Sequence, residues 1–225
     1  MTAVLIIALV LLLYGPYGWA QYVLRRYDRE EYFSGNGFDW ARLALDRENL
    51  EAVQVVESPV GDHYDPEKKV VGLTRARCGR KSLTAVVVAA HEVGHALQDH
   101  TLYRPLQTRT RMVAMAARME RVGAAVMMAV PVVALVTRVP ATGFMFFLGG
   151  LGTLCIPLMI HLLTLPTEFD ASFRRALPLL EKGRYIPVED IPAARTILWA
   201  CALTYVGGAL AGLLNVWRWI RVLRR

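Results

Sequence analysis

The stretch VVVAAHEVGHAL, residues 86–97, decides how the rest of this chain is interpreted. It is an apolar, helix-forming run whose ionisable groups are His91, Glu92 and His95. Residues four apart lie on one face of an α-helix, so the imidazoles of His91 and His95 can bind one ion. Zn²⁺ favours such a nitrogen pair and, in reactive sites, leaves a position for water. Glu92 is rotated by ~100° around the helix and can reach that water as a general base without being a ligand.

The alternative is a helix with two core histidines and a surface glutamate. Two imidazoles and a carboxylate are costly to bury without partners. A solvated helix would also carry Lys or Arg more often in its flanks, whereas 86–90 and 93–94 are uncharged here. The pattern therefore favours a metal site.

Composition indicates a membrane protein with a polar catalytic portion. The chain has 225 residues, of which 55% are hydrophobic, and a net charge of +7. Its Lys and Arg residues cluster beside apolar runs, so anionic lipid headgroups explain the basic balance more simply than nucleic acid does. The cysteines Cys78, Cys155 and Cys201 are odd in number and form no Cys-x-x-Cys motif, so neither a disulfide framework nor a cysteine zinc cluster is expected.

The apolar runs divide the chain into five segments and predict about four transmembrane helices. A cleaved signal peptide is the alternative for the first run, but the basic start that such a peptide needs is missing. The segments are a transmembrane anchor (1–24), a catalytic segment with the metal-binding helix (25–121), a transmembrane hairpin (122–165), a helix that supplies a third ligand (166–195), and a transmembrane helix with a basic tail (196–225).

The distribution of positive charge predicts which side of the membrane holds the site. Lys and Arg are concentrated in 21–121 and 166–195, and the positive-inside rule places both segments in the cytoplasm. A multi-pass protein with its active site facing the cytoplasm is therefore expected. Four spans would place the basic tail after residue 216 outside the cytoplasm, against the positive-inside rule. A broken or re-entrant last segment is therefore the alternative to a fourth span.

Two short strands, 53–56 and 69–73, precede the metal-binding helix. They suit an edge that pairs with an extended peptide substrate, although an ordinary hairpin gives the same pattern. Residues 61–66 are predicted as a turn, in which His63 and Tyr64 could donate to a reaction oxyanion or serve only the turn. The basic helix over 104–121 could lie on a membrane surface or pack on the catalytic domain.

Two histidines do not complete a zinc site, so a third protein ligand is expected. A third histidine six residues after His95 is excluded, because Thr101 occupies that position. Glu168 is the best candidate, since it follows the hairpin at the start of a helix that Thr167 and Asp170 can cap. Asp170 is the second choice, either as a ligand or as an acceptor that orients a ligand imidazole.

The chain resembles a known family, the bacterial YugP-type neutral zinc metallopeptidases. The resemblance rests on HEVGHALQ (91–98), GDHYDP (61–66) and EFDAS (168–172), with SGNG (34–37) and ALTYV (202–206) in support. The family is similar in plan to membrane gluzincins such as the HtpX-type and CAAX prenyl proteases. Those relatives have Glu-x-x-Ala-Asp where this chain ends in Ser172, so the role of that last carboxylate has moved to Asp170 or been lost.

The resemblance implies a mainly α integral membrane protein with a zincin-like metallopeptidase domain and a small β-hairpin or sheet. It implies one Zn²⁺ held by His91, His95 and Glu168, and hydrolysis of a protein or peptide substrate at a bacterial plasma membrane, with Glu92 as the general base. No nucleic-acid partner is expected. Two other classes stay open: a catalytically silent membrane adaptor with a structural metal, and a metal carrier, for which the apolar runs offer few ionisable groups.

Overall fold

The computed structural model describes residues 2–29, 35–138 and 163–213, together with residues 141, 144, 145, 148, 149, 152 and 160. The helices are α1 (Thr2–Arg26), α2 (Gly37–Arg47), α3 (Arg75–Gly79), α4 (Leu83–His100), α5 (Arg104–Thr137), α6 (Leu177–Lys182) and α7 (Ile191–Leu213). A π-helix, Asp170–Ala176, leads directly into α6, and a 3₁₀ turn, Val188–Asp190, precedes α7. The strands are β1 (Gln54–Glu57), β2 (His63–Asp65) and β3 (Val70–Leu73).

Helix α4 lies at the centre of the fold and carries the His-Glu-x-x-His motif. Ser82 caps its first turn, because its Oγ accepts a hydrogen bond of 3.1 Å from the Ala85 N–H. Residues 83–96 are all buried, since α2, the sheet, the π-helix and α7 pack around them. The apolar run around the motif is therefore the core of the domain, and the motif is held inside it.

The sheet has three strands in the order β1-β3-β2. The two predicted strands pair with each other in parallel, with Val55 opposite Val71. The segment predicted as a turn contributes β2, which pairs antiparallel with β3 and places His63 opposite Gly72. Parallel strands need a connection longer than a tight turn, so β1 and β3 do not form the simple hairpin that was the alternative.

The prediction of an integral membrane protein with about four transmembrane helices is wrong for the described chain. In the three described ranges, every helix falls short of the combined length and apolarity that crossing a bilayer requires. Some apolar residues of these helices lie in the protein core: Ala20 and Val23 of α1 are buried, as are Ile197 and Leu198 of α7, whereas Leu135 of α5 is exposed. Hydrophobic composition alone does not distinguish a side chain that faces lipid from one that faces protein.

Several predicted segments lie partly outside the described residues. They include most of the second apolar run of the hairpin (141–165) and the whole basic tail (217–225). Within the described part, α5 continues through residue 121 and α7 through residue 195, where segment boundaries were placed. The five-segment division stays a prediction. The assignment of the polar segments to the cytoplasmic side of a membrane loses its basis, because it presumed transmembrane helices.

Candidate metal centre

Three buried side chains that are far apart in sequence meet beside α4. Oε2 of Glu168 lies 3.2 Å from Nε2 of His91 and 3.2 Å from Nε2 of His95. One ligand atom from each of the three residues lies within 4.8 Å of the others, and all three residues are buried. The two imidazole rings stand edge to face, with an interplanar angle of 80°, and both Nε2 atoms face the same oxygen of Glu168. The structure thus brings together the three residues that the sequence predicted as ligands.

Gln98 fixes the protonation of His95. Its Nε2 donates to the Thr167 carbonyl at 2.8 Å and to Oδ2 of Asp170 at 2.9 Å. Its Oε1 therefore faces Nδ1 of His95, 2.9 Å away, and this oxygen can only accept. Nδ1 must carry a proton, so Nε2, which faces Glu168, is the nitrogen that a metal would bind.

Ser172 does the same for His91. Its Oγ donates to the Leu198 carbonyl at 3.4 Å, so it is left to accept from Nδ1 of His91 at 3.0 Å. This is the position at which the resembling proteases carry an aspartate. Ser172 thus keeps the orienting contact without the negative charge. Asp170, predicted as a ligand or an imidazole acceptor, instead binds Gln98 and Arg175, at 2.9 Å each.

Arg109 of α5 joins the centre from outside the predicted set. Its Nη1 lies 2.6 Å from Oε1 of Glu168, the oxygen that does not face the histidines. Burial by itself would raise the pKa of Glu168, but His95, His91 and Arg109 outweigh it, and that pKa lies well below its usual range. Glu168 is therefore ionised, as a metal ligand must be.

Glu92 follows the ligand residue His91 in α4, is buried, and carries an unsatisfied carboxylate oxygen. The residue is 4% exposed, and its Oε2 has no hydrogen-bond partner among the described residues. Burial raises the pKa of Glu92 to about 7, opposed by His91 and reinforced by the carboxylates of Asp62 and Glu168. A carboxylate that holds and releases a proton near neutral pH is suited to general acid–base work.

The π-helix sets the distance between Glu168 and α4. Gly94 faces the Ala171 carbonyl so closely that a Cβ at position 94 would lie 2.5 Å from its oxygen. The ion pair between Asp170 and Arg175 joins residues five apart, a spacing that matches the hydrogen-bond period of a π-helix. Such segments are frequent at functional sites, and this one begins two residues after the third ligand.

His63 and Tyr64 use their polar atoms away from the three ligands. Nδ1 of His63 lies 3.0 Å from the Gly61 carbonyl. The Tyr64 hydroxyl donates to Oδ2 of Asp99 at 2.6 Å, and burial together with Asp99 raises the pKa of Tyr64 far above its usual value. The Tyr64 contact ties β2 to the last turn of α4. A role for His63 and Tyr64 in catalysis stays a prediction.

Sequence reasoning missed Gln98, Arg109 and Ser172 as contributors to the centre. The sequence assigned Gln98 no role beyond the family motif of residues 91–98, although it lies three residues after His95 and so on the same helix face. Arg109 lies three residues after Leu106, whose 5% exposure marks the inward face of α5. That spacing was the available signal, but it cannot identify a partner 59 residues away.

The residues fit a zinc ion on the chemistry of their donors. Two imidazole nitrogens and one ionised carboxylate oxygen are the His₂Glu set of catalytic zinc sites. Oε2 of Glu92, the residue after His91, has no hydrogen-bond partner among the described residues and is available as an acceptor. These residues can therefore hold a divalent metal and leave room for chemistry.

Comparison with known proteins agrees with this centre. The family model described as "Putative neutral zinc metallopeptidase" matches residues 2–224. A protein of Bacillus subtilis (strain 168), "Putative membrane protease YugP", is 32% identical over 223 residues, covering 91% of this chain and 90% of that protein. No solved structure matches the chain. On the extent of both matches, the chain belongs to the YugP-type family of neutral zinc metallopeptidases.

Proposed function

We propose that this protein is a zinc-dependent endopeptidase that hydrolyses internal peptide bonds of a protein or peptide substrate. The observation that carries the proposal is the buried, unpartnered Oε2 of Glu92 beside the His91, His95 and Glu168 cluster. A purely structural metal site has no use for a costly buried carboxylate of this kind. We propose one zinc ion, because the three ligand atoms converge on a single point.

A zinc ion held by His91, His95 and Glu168 would supply Lewis acidity toward a carbonyl oxygen and would lower the pKa of a water molecule. Glu92 accepts the proton of the attacking water and passes it to the leaving amine. Burial raises the pKa of this carboxyl to about 7, so Glu92 can both accept and release a proton near neutral pH. Gln98 and Ser172 hold the imidazoles in the protonation state that ligation requires.

The substrate reaches the site as an extended segment in this proposal. In the three-stranded sheet β1 and β2 are the edges, and β2 is anchored to α4 through Tyr64 and Asp99. An edge strand offers backbone groups for pairing with a peptide. His63 and Tyr64 of β2 are the proposed oxyanion donors. In this role the Tyr64 hydroxyl must leave Asp99, and His63 must turn away from the Gly61 carbonyl. Because the Bacillus subtilis relative is called a membrane protease, we propose that the substrate is met at a lipid bilayer surface.

Casein cleavage by the purified full chain tests the function. The variants are Glu92→Gln, which keeps the shape of the general base, and Glu189→Gln, an exposed control. We expect one zinc per chain in all three proteins, and internal cleavage by the wild type and the control only. Zinc content that survives Glu168→Ala would contradict the ligand set. Equal cleavage by Glu92→Gln would contradict the mechanism and favour the silent adaptor.

A further inference from the structure

The contact between Arg109 and Glu168 is unusual for a metal site, because a cation lies against a ligand of a cation. Arg109 is drawn inward: its side chain is 16% exposed, and Glu168 is fully buried. Its Nη1 lies 2.6 Å from Oε1, an ion-pair contact at an oxygen that has no hydrogen-bond partner among the described residues, whereas both histidines approach Oε2 at 3.2 Å. The two oxygens of one carboxylate are thus assigned to different partners.

We propose that Arg109 is a positioning residue that occupies Oε1 of Glu168, so that the carboxylate offers only Oε2 to the metal. A carboxylate can bind a metal ion through one oxygen or through both. A catalytic zinc site keeps three protein ligands and one position for water or substrate, and a second carboxylate oxygen competes for that position. A charge-assisted contact at Oε1 removes this competitor.

The location of Arg109 in α5 supports the assignment. Leu106 and Arg109 are three residues apart and lie on the same face of the helix, and Leu106 is 5% exposed. Arg111, two residues further, lies off this face and is exposed. Packing of the first turns of α5 therefore places Arg109 next to the centre. The contact with Glu168 does not require a solvent-exposed side chain to become ordered.

The inference rests on the proposed zinc function, so its test must separate the two. The metal-depleted full chain is loaded with Co²⁺, whose visible absorption is stronger in four-coordinate than in five-coordinate sites. The variants are Arg109→Met, which keeps the apolar stem, Arg109→Lys, which keeps the charge, and Arg111→Met as the matched exposed control. Absorbance is measured per bound Co²⁺, and kcat and KM are measured with zinc.

We expect Arg109→Met to absorb more weakly per bound Co²⁺ than the wild type, because Oε1 joins the coordination. We expect its kcat to fall tenfold or more, with KM within twofold, as for other residues that orient metal ligands. Arg109→Lys should recover most of both signals, and Arg111→Met should match the wild type.

An unchanged Co²⁺ spectrum in Arg109→Met would overturn the positioning role. If circular dichroism shows that this variant does not fold, Arg109→Gln takes its place, since it also removes the charge and the long reach. A wild-type chain that binds neither Co²⁺ nor zinc would overturn the proposed function itself. That outcome is visible before any Arg109 variant is compared.

Discussion

Replacement of Gly94 by alanine tests how closely α4 and the π-helix must approach. A Cβ at position 94 would lie 2.5 Å from the Ala171 oxygen, 3.2 Å from its carbonyl carbon and 3.4 Å from its Cα. Real Cβ atoms essentially never come closer than 3.0 Å, so the two segments must separate by at least about half an ångström. The obstacle is backbone on both sides, so no flexible side chain can swing away.

The expected effect combines a loss of stability with a loss of metal binding. Alanine is favoured over glycine in a helix by about 1 kcal/mol, but overpacking costs about 1–3 kcal/mol. We expect a net loss of about 1 kcal/mol in the free energy of unfolding. Ala171 lies three residues after Glu168, so the displacement also moves the ligand, and we expect zinc affinity to fall by about tenfold or more.

Gly18→Ala is the matched control, because Gly18 also lies inside a helix but meets nothing within 4 Å. There the helix preference acts alone, and the free energy of unfolding should stay equal or rise. Urea denaturation gives the stability of both variants, and competition with a chelator gives their zinc affinity. If Gly94→Ala keeps wild-type stability and wild-type zinc affinity, the close approach does not set the ligand geometry.

Three further predictions follow from other contacts. Ser172→Ala removes the acceptor of the His91 proton, so zinc affinity in a chelator competition should fall about tenfold; unchanged affinity would show that Ser172 does not orient the ring. Tyr64→Phe removes the hydrogen bond to Asp99 and should lower the free energy of unfolding by about 1 kcal/mol, and unchanged casein turnover would exclude Tyr64 from catalysis. The folded-state pKa of Glu92 is raised from 4.5 to about 7, so the metal-free wild type should lose up to about 3 kcal/mol as pH rises from 4.5 to 8. Urea denaturation with a chelator should show that Glu92→Gln lacks this loss, and an equal loss in both proteins would contradict the raised pKa.

The sequence predicts the part of the centre that is local. His91 and His95 share a helix face by their spacing alone. Glu168 required more than spacing, because 73 residues separate it from His95. It was found through the need for a third ligand and through the family resemblance.

The non-local contacts could not be predicted in this way. Arg109 was one of several arginines on a basic helix, and its spacing from Leu106 could not identify Glu168 as its partner. Strand β2 was predicted as a turn, because three residues form a strand only when a partner such as β3 is present. The apolar runs were assigned to lipid, yet Ile197 and Leu198 pack in the protein core. Hydropathy does not distinguish burial against lipid from burial against protein.

The π-helix after Glu168 has a consequence for how this segment can change in evolution. Its backbone hydrogen bonds join residues five apart, whereas those of an α-helix join residues four apart. Loss of a single residue between Asp170 and Ala176 would restore α-helical bonding, separate Asp170 from Arg175, and turn Glu168 to another face of its helix. Insertions and deletions should therefore be excluded from these seven positions even where substitutions are accepted.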